Sequence, residues 1–243
     1  MKNSIQTCVL AAVGLLAVGA VSLQAQTRAS DNHFYFTTDF GVSLIDAVDL
    51  TQFGLAVPNP TPPPATIAAP AGGQALLNPG LRFDASAGYE ISLSKASCVN
   101  VEIASGLIFN GLDQVEFPAL KVGMEGDWQQ VPLLANVIFH YHLANGITPY
   151  LGGGGGVIFS LMNLETLSLA NGTTLSAQGS DEDVVGAFQG VAGVQFEISD
   201  NTSVGLGYKF LTTSGPTWNL GGGRVELDDV RVHAVSMTLT YRF

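Results

Sequence analysis

From Leu81 to Leu93 apolar and polar residues alternate without a break. Leu81, Phe83, Ala85, Ala87, Tyr89, Ile91 and Leu93 fall on one side, Arg82, Asp84, Ser86, Gly88, Glu90 and Ser92 on the other. Period two held for that length predicts an extended strand with one apolar and one polar face. The pattern returns three times in clear form. Val99, Val101, Ile103, Leu107 and Phe109 oppose Asn100, Glu102, Ala104 and Gly106; Val204, Leu206, Tyr208 and Phe210 oppose Ser203, Gly205, Gly207 and Lys209; Val235, Met237, Leu239, Tyr241 and Phe243 oppose Ser236, Thr238, Thr240 and Arg242. Four segments fit less cleanly: His33 to Ile45, Trp128 to Leu143, Thr148 to Ser160 and Asp183 to Ser199. In the second of these Leu134 and Ile138 fall on the nominally polar side, and the third is too rich in glycine to assign a face.

The chain is hydrophobic, with a mean hydropathy of +0.31, yet no stretch reads as a spanning helix. Trp128 to Leu164 carries no Asp, Glu, Lys or Arg, but it contains Pro132, Pro149 and the run Gly152 to Gly156. Glycine costs a helix ~1 kcal/mol per residue and proline ~3 kcal/mol. A hydrophobic chain without helices enters a bilayer only by closing a sheet on itself, so that no backbone group is left unpaired in lipid. The expected fold class is therefore all-β, an eight-stranded antiparallel up-and-down transmembrane β-barrel.

The amino terminus agrees with export. Lys2 precedes an uncharged apolar run, Cys8 to Val21, which ends in Ser22-Leu23-Gln24-Ala25. That is the layout of a signal peptide over residues 1–25 cleaved near Ala25, leaving 26–243 as one barrel domain. The apolar run is too short for a spanning helix, which needs ~20 residues. Of the two cysteines Cys8 would leave with the peptide, so Cys98 has no internal disulfide partner. The chain carries 20 acidic against nine basic residues, a balance that argues against nucleic acid or polyanionic surfaces as partners.

Connections between the expected strands run about 35, 5, 18, 4, 22, 2 and 15 residues, long and short in strict alternation. Outer-membrane barrels have that asymmetry, with short periplasmic turns, long external loops and both termini in the periplasm. Aromatic residues then sort into two belts, Phe34, Phe36, Tyr89, Phe139, Tyr141, Phe196, Tyr241 and Phe243 toward one rim and Phe83, Phe109, Phe188, Tyr208 and Phe210 toward the other. A soluble barrel would also alternate, with its apolar side inward. Here the polar set is small and charged in both signs, which suits a narrow lumen. Arg82, Asp84, Glu90, Glu102, Glu197, Lys209 and Arg242, with Asp39, form the expected lumen charge network, since buried charges persist only with partners.

Pro132-Leu133-Leu134-Ala135-Asn136-Val137, Thr148-Pro149-Tyr150-Leu151 with its glycines, Gly205 to Phe210 and the terminal Tyr241-Arg242-Phe243 resemble the outer-membrane β-barrel family of small OmpA-like, OmpX-like and OmpW-like proteins. The resemblance covers nearly all of the chain after the leader. It implies that Val235, Met237, Leu239, Tyr241 and Phe243 are the signal read by the barrel-assembly machinery, and that lipopolysaccharide and outer-membrane lipid are the surroundings. The first long connection departs from the family in its proline-rich segment Pro58 to Pro64, and no peptidoglycan-binding domain is expected after Phe243.

No catalytic, cofactor or metal site is expected. Gly152 to Gly156 lacks the Lys-Ser/Thr of a phosphate loop. His140 and His142 could share a metal, but no third ligand is evident at suitable spacing. Asp228, Asp229, His233 and Ser236 imitate a protease constellation without the further acids one would need. The acidic loop groups Asp181-Glu182-Asp183 and Glu226, Asp228, Asp229 read as solvated charge. The expected function is an integral outer-membrane barrel with a structural or surface-interaction role, in which external loops meet an extracellular ligand. The alternative is an OmpW-like channel for small solutes or hydrophobic compounds, suggested by the inward Leu134 and Ile138.

Overall fold

The computed structural model describes residues 32–57, 65–68, 72–118, 120–143, 146–169, 174–220 and 223–243. The expected leader and the Pro58 to Pro64 segment lie outside them. The strands are β1 (His33–Ile45), β2 (Val48–Val57), β3 (Ala65–Ala68), β4 (Gly73–Leu77), β5 (Gly80–Ser94), β6 (Ser97–Phe117), β7 (Leu120–Tyr141), β8 (Ile147–Leu169), β9 (Thr174–Glu197), β10 (Thr202–Thr213), β11 (Thr217–Leu220), β12 (Gly223–Leu227) and β13 (Val230–Arg242).

Eight of these close a ring. The order β6-β5-β1-β13-β10-β9-β8-β7 is hydrogen-bonded throughout, and β7 returns to β6. Every pair is antiparallel, including β1 with β13, where Tyr35 faces Arg242 and Val42 faces Val235. These eight are the eight segments expected from alternation. Short turns join them at the lower end, where β1 starts and β13 finishes. Gly146, at φ +76°, makes one of these turns, between β7 and β8, in a backbone region open to glycine at little cost.

At the upper end the strands outrun the expectation. The connections of about 18 and 22 residues after Phe109 and Ser160 are largely strand. The β6–β7 ladder continues to the pair Phe117 and Leu120, and β8–β9 to Ser168 and Thr174. The other four ring strands stop lower, and each is continued by a short one after a break of two or three residues. β1 passes into β2 at Asp46-Ala47, β4 into β5 at Asn78-Pro79, β10 into β11 at Ser214 to Pro216, and β12 into β13 at Asp228-Asp229. β4 pairs with β6, β2 with β4, β12 with β2 and β11 with β12. The upper wall therefore repeats the order of the lower one with the short strands in place.

One seam is of a different kind. β11 meets β9 through side chains: the backbone N–H of Thr217 donates to Asp183 Oδ2 at 2.8 Å, and that of Asn219 to Asp181 Oδ2 at 2.6 Å. Two of the acidic residues expected to be free loop charge thus cap the backbone of an edge strand.

The two levels face opposite ways. In the lower half Phe34, Leu81, Val101, Val137, Leu206, Met237 and Leu239 point outward and are exposed, while Asp84, Glu102, Asn136 and Thr238 are buried inside. In the upper half Leu50, Phe53, Val115, Met124, Met162, Leu164, Trp218 and Val225 are buried inside, and Asp49, Asp113, Lys121, Glu125, Glu165 and Arg224 are exposed outside. The expected polar lumen is confined to the lower part, and the apolar interior extends well beyond the expected inward Leu134 and Ile138.

Candidate functional site: the barrel lumen

The lower lumen is built from the polar halves of the alternating strands. Register places their side chains at a common height. Lys209 Nζ, from β10, donates to Asp39 Oδ2 of β1 at 2.9 Å and to Asp84 Oδ2 of β5 at 2.7 Å. Arg82 Nε reaches the same Asp84 oxygen at 2.7 Å, and its Nη2 donates to Gln189 Oε1 of β9 at 2.5 Å. Thr238 Oγ1 of β13 closes on Asp39 Oδ1 at 2.5 Å. Two cations and two anions are thereby joined across five strands, with Arg82 only 1 % exposed. Ions in such surroundings hold their charge only because each finds an opposite charge and further hydrogen bonds.

Below this layer the expected members separate. Glu102 meets neutral donors: Tyr35 Oη at 2.8 Å, Ser86 Oγ at 3.0 Å and Asn136 Nδ2 at 2.9 Å. Glu90 lies 3.5 Å from Arg242 Nε, forming a second ion pair near the mouth. Glu197 does not join either group. It has the inward parity of Gln195, which is buried, but it ends β9 and is exposed at the rim.

Sequence reasoning missed the two inward tyrosines. Tyr35 stands directly across from Gly88, and Tyr150 directly across from Gly193. A side chain on either glycine would collide with the tyrosine ring, so each missing side chain makes room for a ring that crosses the lumen. An inward tyrosine paired with a glycine was the available signal. The glycine run resolves in the same way. Gly152, Gly154 and Gly156 face inward against Ile138, Asn136 and Leu134, where a Cβ would strike the β7 backbone.

Above the charged layer the lumen turns apolar. Trp128 and Trp218 meet edge to face with ring centroids 5.4 Å apart. Their indole N–H groups donate to Ser160, one to Oγ at 2.7 Å and the other to the carbonyl at 3.3 Å. Leu134, Ile108, Ile158, Leu211 and Val232 continue this cluster down toward the ions. The space left among Leu50, Leu77, Leu112, Met124, Trp128, Met162 and Leu227 is about 20 Å³, enough for one water.

The protease-like group does not assemble. His233 and Ser236 lie on opposite faces of β13: Ser236 is buried inside, whereas His233 binds Tyr208 Oη at 2.6 Å and approaches Asp46 at 3.4 Å on the outer side. Asp228 and Asp229 are exposed at the break before β13. His140 stacks on Tyr150 with centroids 5.3 Å apart, while His142 is placed beside Cys98. Val235, Met237, Leu239 and Tyr241 project from the outer face of β13, and Phe243, just past its end, is exposed beside them.

Three solved structures are among those similar to this chain. Neisserial surface protein A is 14% identical over 86% of this chain and 97% of its own, with a TM-score of 0.46. Ail, the attachment invasion locus protein of Yersinia pestis, is 14% identical over 88% and 100%, with a TM-score of 0.43. OprG of Pseudomonas aeruginosa is 12% identical over 85% and 95%, with a TM-score of 0.46. Among curated protein sequences none matches at a significant level. A family model, the outer membrane protein beta-barrel domain, matches residues 13–243. With a closed eight-strand ring, an apolar outer band and a polar lower lumen, the chain belongs to the outer-membrane protein β-barrel family.

Proposed function

We propose that this outer-membrane barrel is a non-conducting structural protein that holds a folded collar above the bilayer for surface interaction. One observation carries the reading: among the described residues the inward side chains are packed at both levels, in an ion-pair layer below and in a tryptophan-centred apolar core above. A bilayer needs only ~9–11 residues per tilted strand, while β9 has 24. The surplus is folded wall. The short turns at the lower end support a periplasmic location for that end and an extracellular one for the collar. The collar's outer face carries mostly carboxylates, which suits a basic ligand or lipopolysaccharide bridged through divalent ions. The outer face of β13, with Phe243 after it, supports its reading by the barrel-assembly machinery.

Passage of hydrophobic compounds is the second reading, favoured by the apolar upper lumen. A space of about 20 Å³ would first have to widen, because such ligands fill pockets of ~300 Å³ or more. Planar-bilayer recording with the purified full chain tests the pair: no conductance supports the filled lumen, and steady channels overturn it. Orientation is tested with protease sites inserted between Pro62 and Pro63 and at Ala96. Cleavage of the first alone in intact cells supports an external collar; equal cleavage overturns it.

A further inference from the structure

At the lower mouth three chemically different donors from three consecutive strands converge. Glu90 is the last buried residue of β5, Cys98 is the second residue of β6, and His142 comes directly after β7. One ligand atom from each lies within 4.8 Å of the other two. We propose that Glu90, Cys98 and His142 form a binding site for a thiophilic divalent cation of the zinc class.

The donor set is the first argument. A thiolate, an imidazole nitrogen and a carboxylate are the three ligand types that zinc takes in proteins. Their charges balance, since two anionic ligands and a neutral imidazole neutralise a divalent ion. The spacing is the second. A tetrahedral zinc with bonds of about 2.3 Å to sulfur and 2.0 Å to nitrogen would hold those atoms about 3.5 Å apart. Cys98 Sγ and His142 Nε2 stand 3.4 Å apart.

Orientation is the third. The other ring nitrogen of His142, Nδ1, is 3.0 Å from Thr148 Oγ1. If Nδ1 carries the proton and donates it there, Nε2 presents its lone pair toward the cysteine. Ligating histidines are commonly fixed through the opposite nitrogen in this way. The backbone anchors the same residue, because His142 N–H donates to the Ala96 carbonyl at 2.7 Å. Glu90 also pairs with Arg242; a carboxylate has two oxygens and can keep that contact with one while the other meets the ion.

The site is built rather than incidental. Glu90 and Cys98 are buried in the lumen wall and His142 is half-buried, so an ion would enter from the mouth. Binding replaces the S–H bond of Cys98 with a sulfur–metal bond and releases the proton to solvent. The fourth tetrahedral position falls to water entering from the mouth.

The test is a cobalt titration of the full chain in detergent, kept reduced, with zinc added afterwards as competitor. The expected result is a thiolate-to-cobalt charge-transfer band saturating at one equivalent and erased by zinc. Cys98→Ser should abolish the band. His142→Ala should weaken binding at least tenfold, and Thr148→Val about tenfold, the usual scale for an orienting partner. Heat-modifiable migration checks each variant's fold, and the half-exposed His142 carries the test if Cys98→Ser misfolds. A reduced, folded protein without the band overturns the proposal, as does an unchanged affinity in both His142→Ala and Glu90→Gln.

Discussion

The lower and upper halves of the barrel share a strand order and a wall but have exchanged inside for outside. Below, Leu206 and Met237 point away from the axis and Asp84, Lys209 and Thr238 toward it; above, Leu164 and Trp218 point inward and Glu125 and Arg224 outward. The backbone physics is the same in both. What differs is the solvent on the outer face. Where lipid surrounds the wall, apolar side chains cost nothing outside and polar ones must find partners within. Where water surrounds it, burial drives the apolar set to the centre, at roughly 25 cal/mol per Å². The four strand breaks at Asp46, Asn78, Ser214 and Asp228 sit where one regime gives way to the other.

Substitutions that respect one regime and violate the other should separate the halves. The largest effect is expected from Trp128→Ala in the collar core, about 3–5 kcal/mol from lost burial and the cavity left behind. If the halves are separate cooperative units, limited proteolysis should open the variant near Lys121 while the heat-modifiable band of the lower ring persists. Loss of both together would show a single unit. Next is Leu206→Arg on the lipid face, expected to cost about 2–4 kcal/mol in a urea titration.

Deleting Phe243 should lower the stability of refolded barrel by about 1.5–3 kcal/mol, the scale of one aromatic burial. If the outer face of β13 and the terminal aromatic are chiefly an assembly signal, membrane levels should fall far more than that loss explains. Normal levels in outer-membrane fractions would remove that role. The smallest effect is expected from Thr51→Arg, an exposed outward position on β2, at about 0.5 kcal/mol or less. A cost there equal to that at Leu206 would mean that lipid reaches the collar.

The same contrast explains what the sequence made legible. The lower strands alternate without interruption, so β5, β6, β10 and β13 were readable from period two alone. Leu134, one of the two exceptions in β7, was already reporting the apolar cluster above the ions, whereas Ile138 is buried lower down, across from Asn100. The collar strands hid because register shifts break their period. β6 and β7 slip between Gly111 and Gln114, and β8 and β9 between Leu164 and Thr166. Inward residues then step by three, from Leu112 to Val115 and from Leu164 to Leu167, which breaks the period-two template. In the lumen, parity identified Arg82, Asp84 and Lys209 but could not give height, so Glu197 was included although the wall ends beside it. Glycine carries no side chain to betray its face, which left β8 unreadable until its partners were known.

The seam between β1 and β13 joins residues that lie about two hundred positions apart, as Tyr35 and Arg242 do. The collar hairpins β6–β7 and β8–β9 join neighbours and can form as soon as they are made. The lower ring has no such liberty: its first strand waits, with one edge unpaired, for the last to arrive. An unpaired edge is a template for any passing strand. The interval between export and closure is therefore the period in which this chain most needs an escort, and its length is set by the slowest long-range contact rather than by the stability of the closed ring.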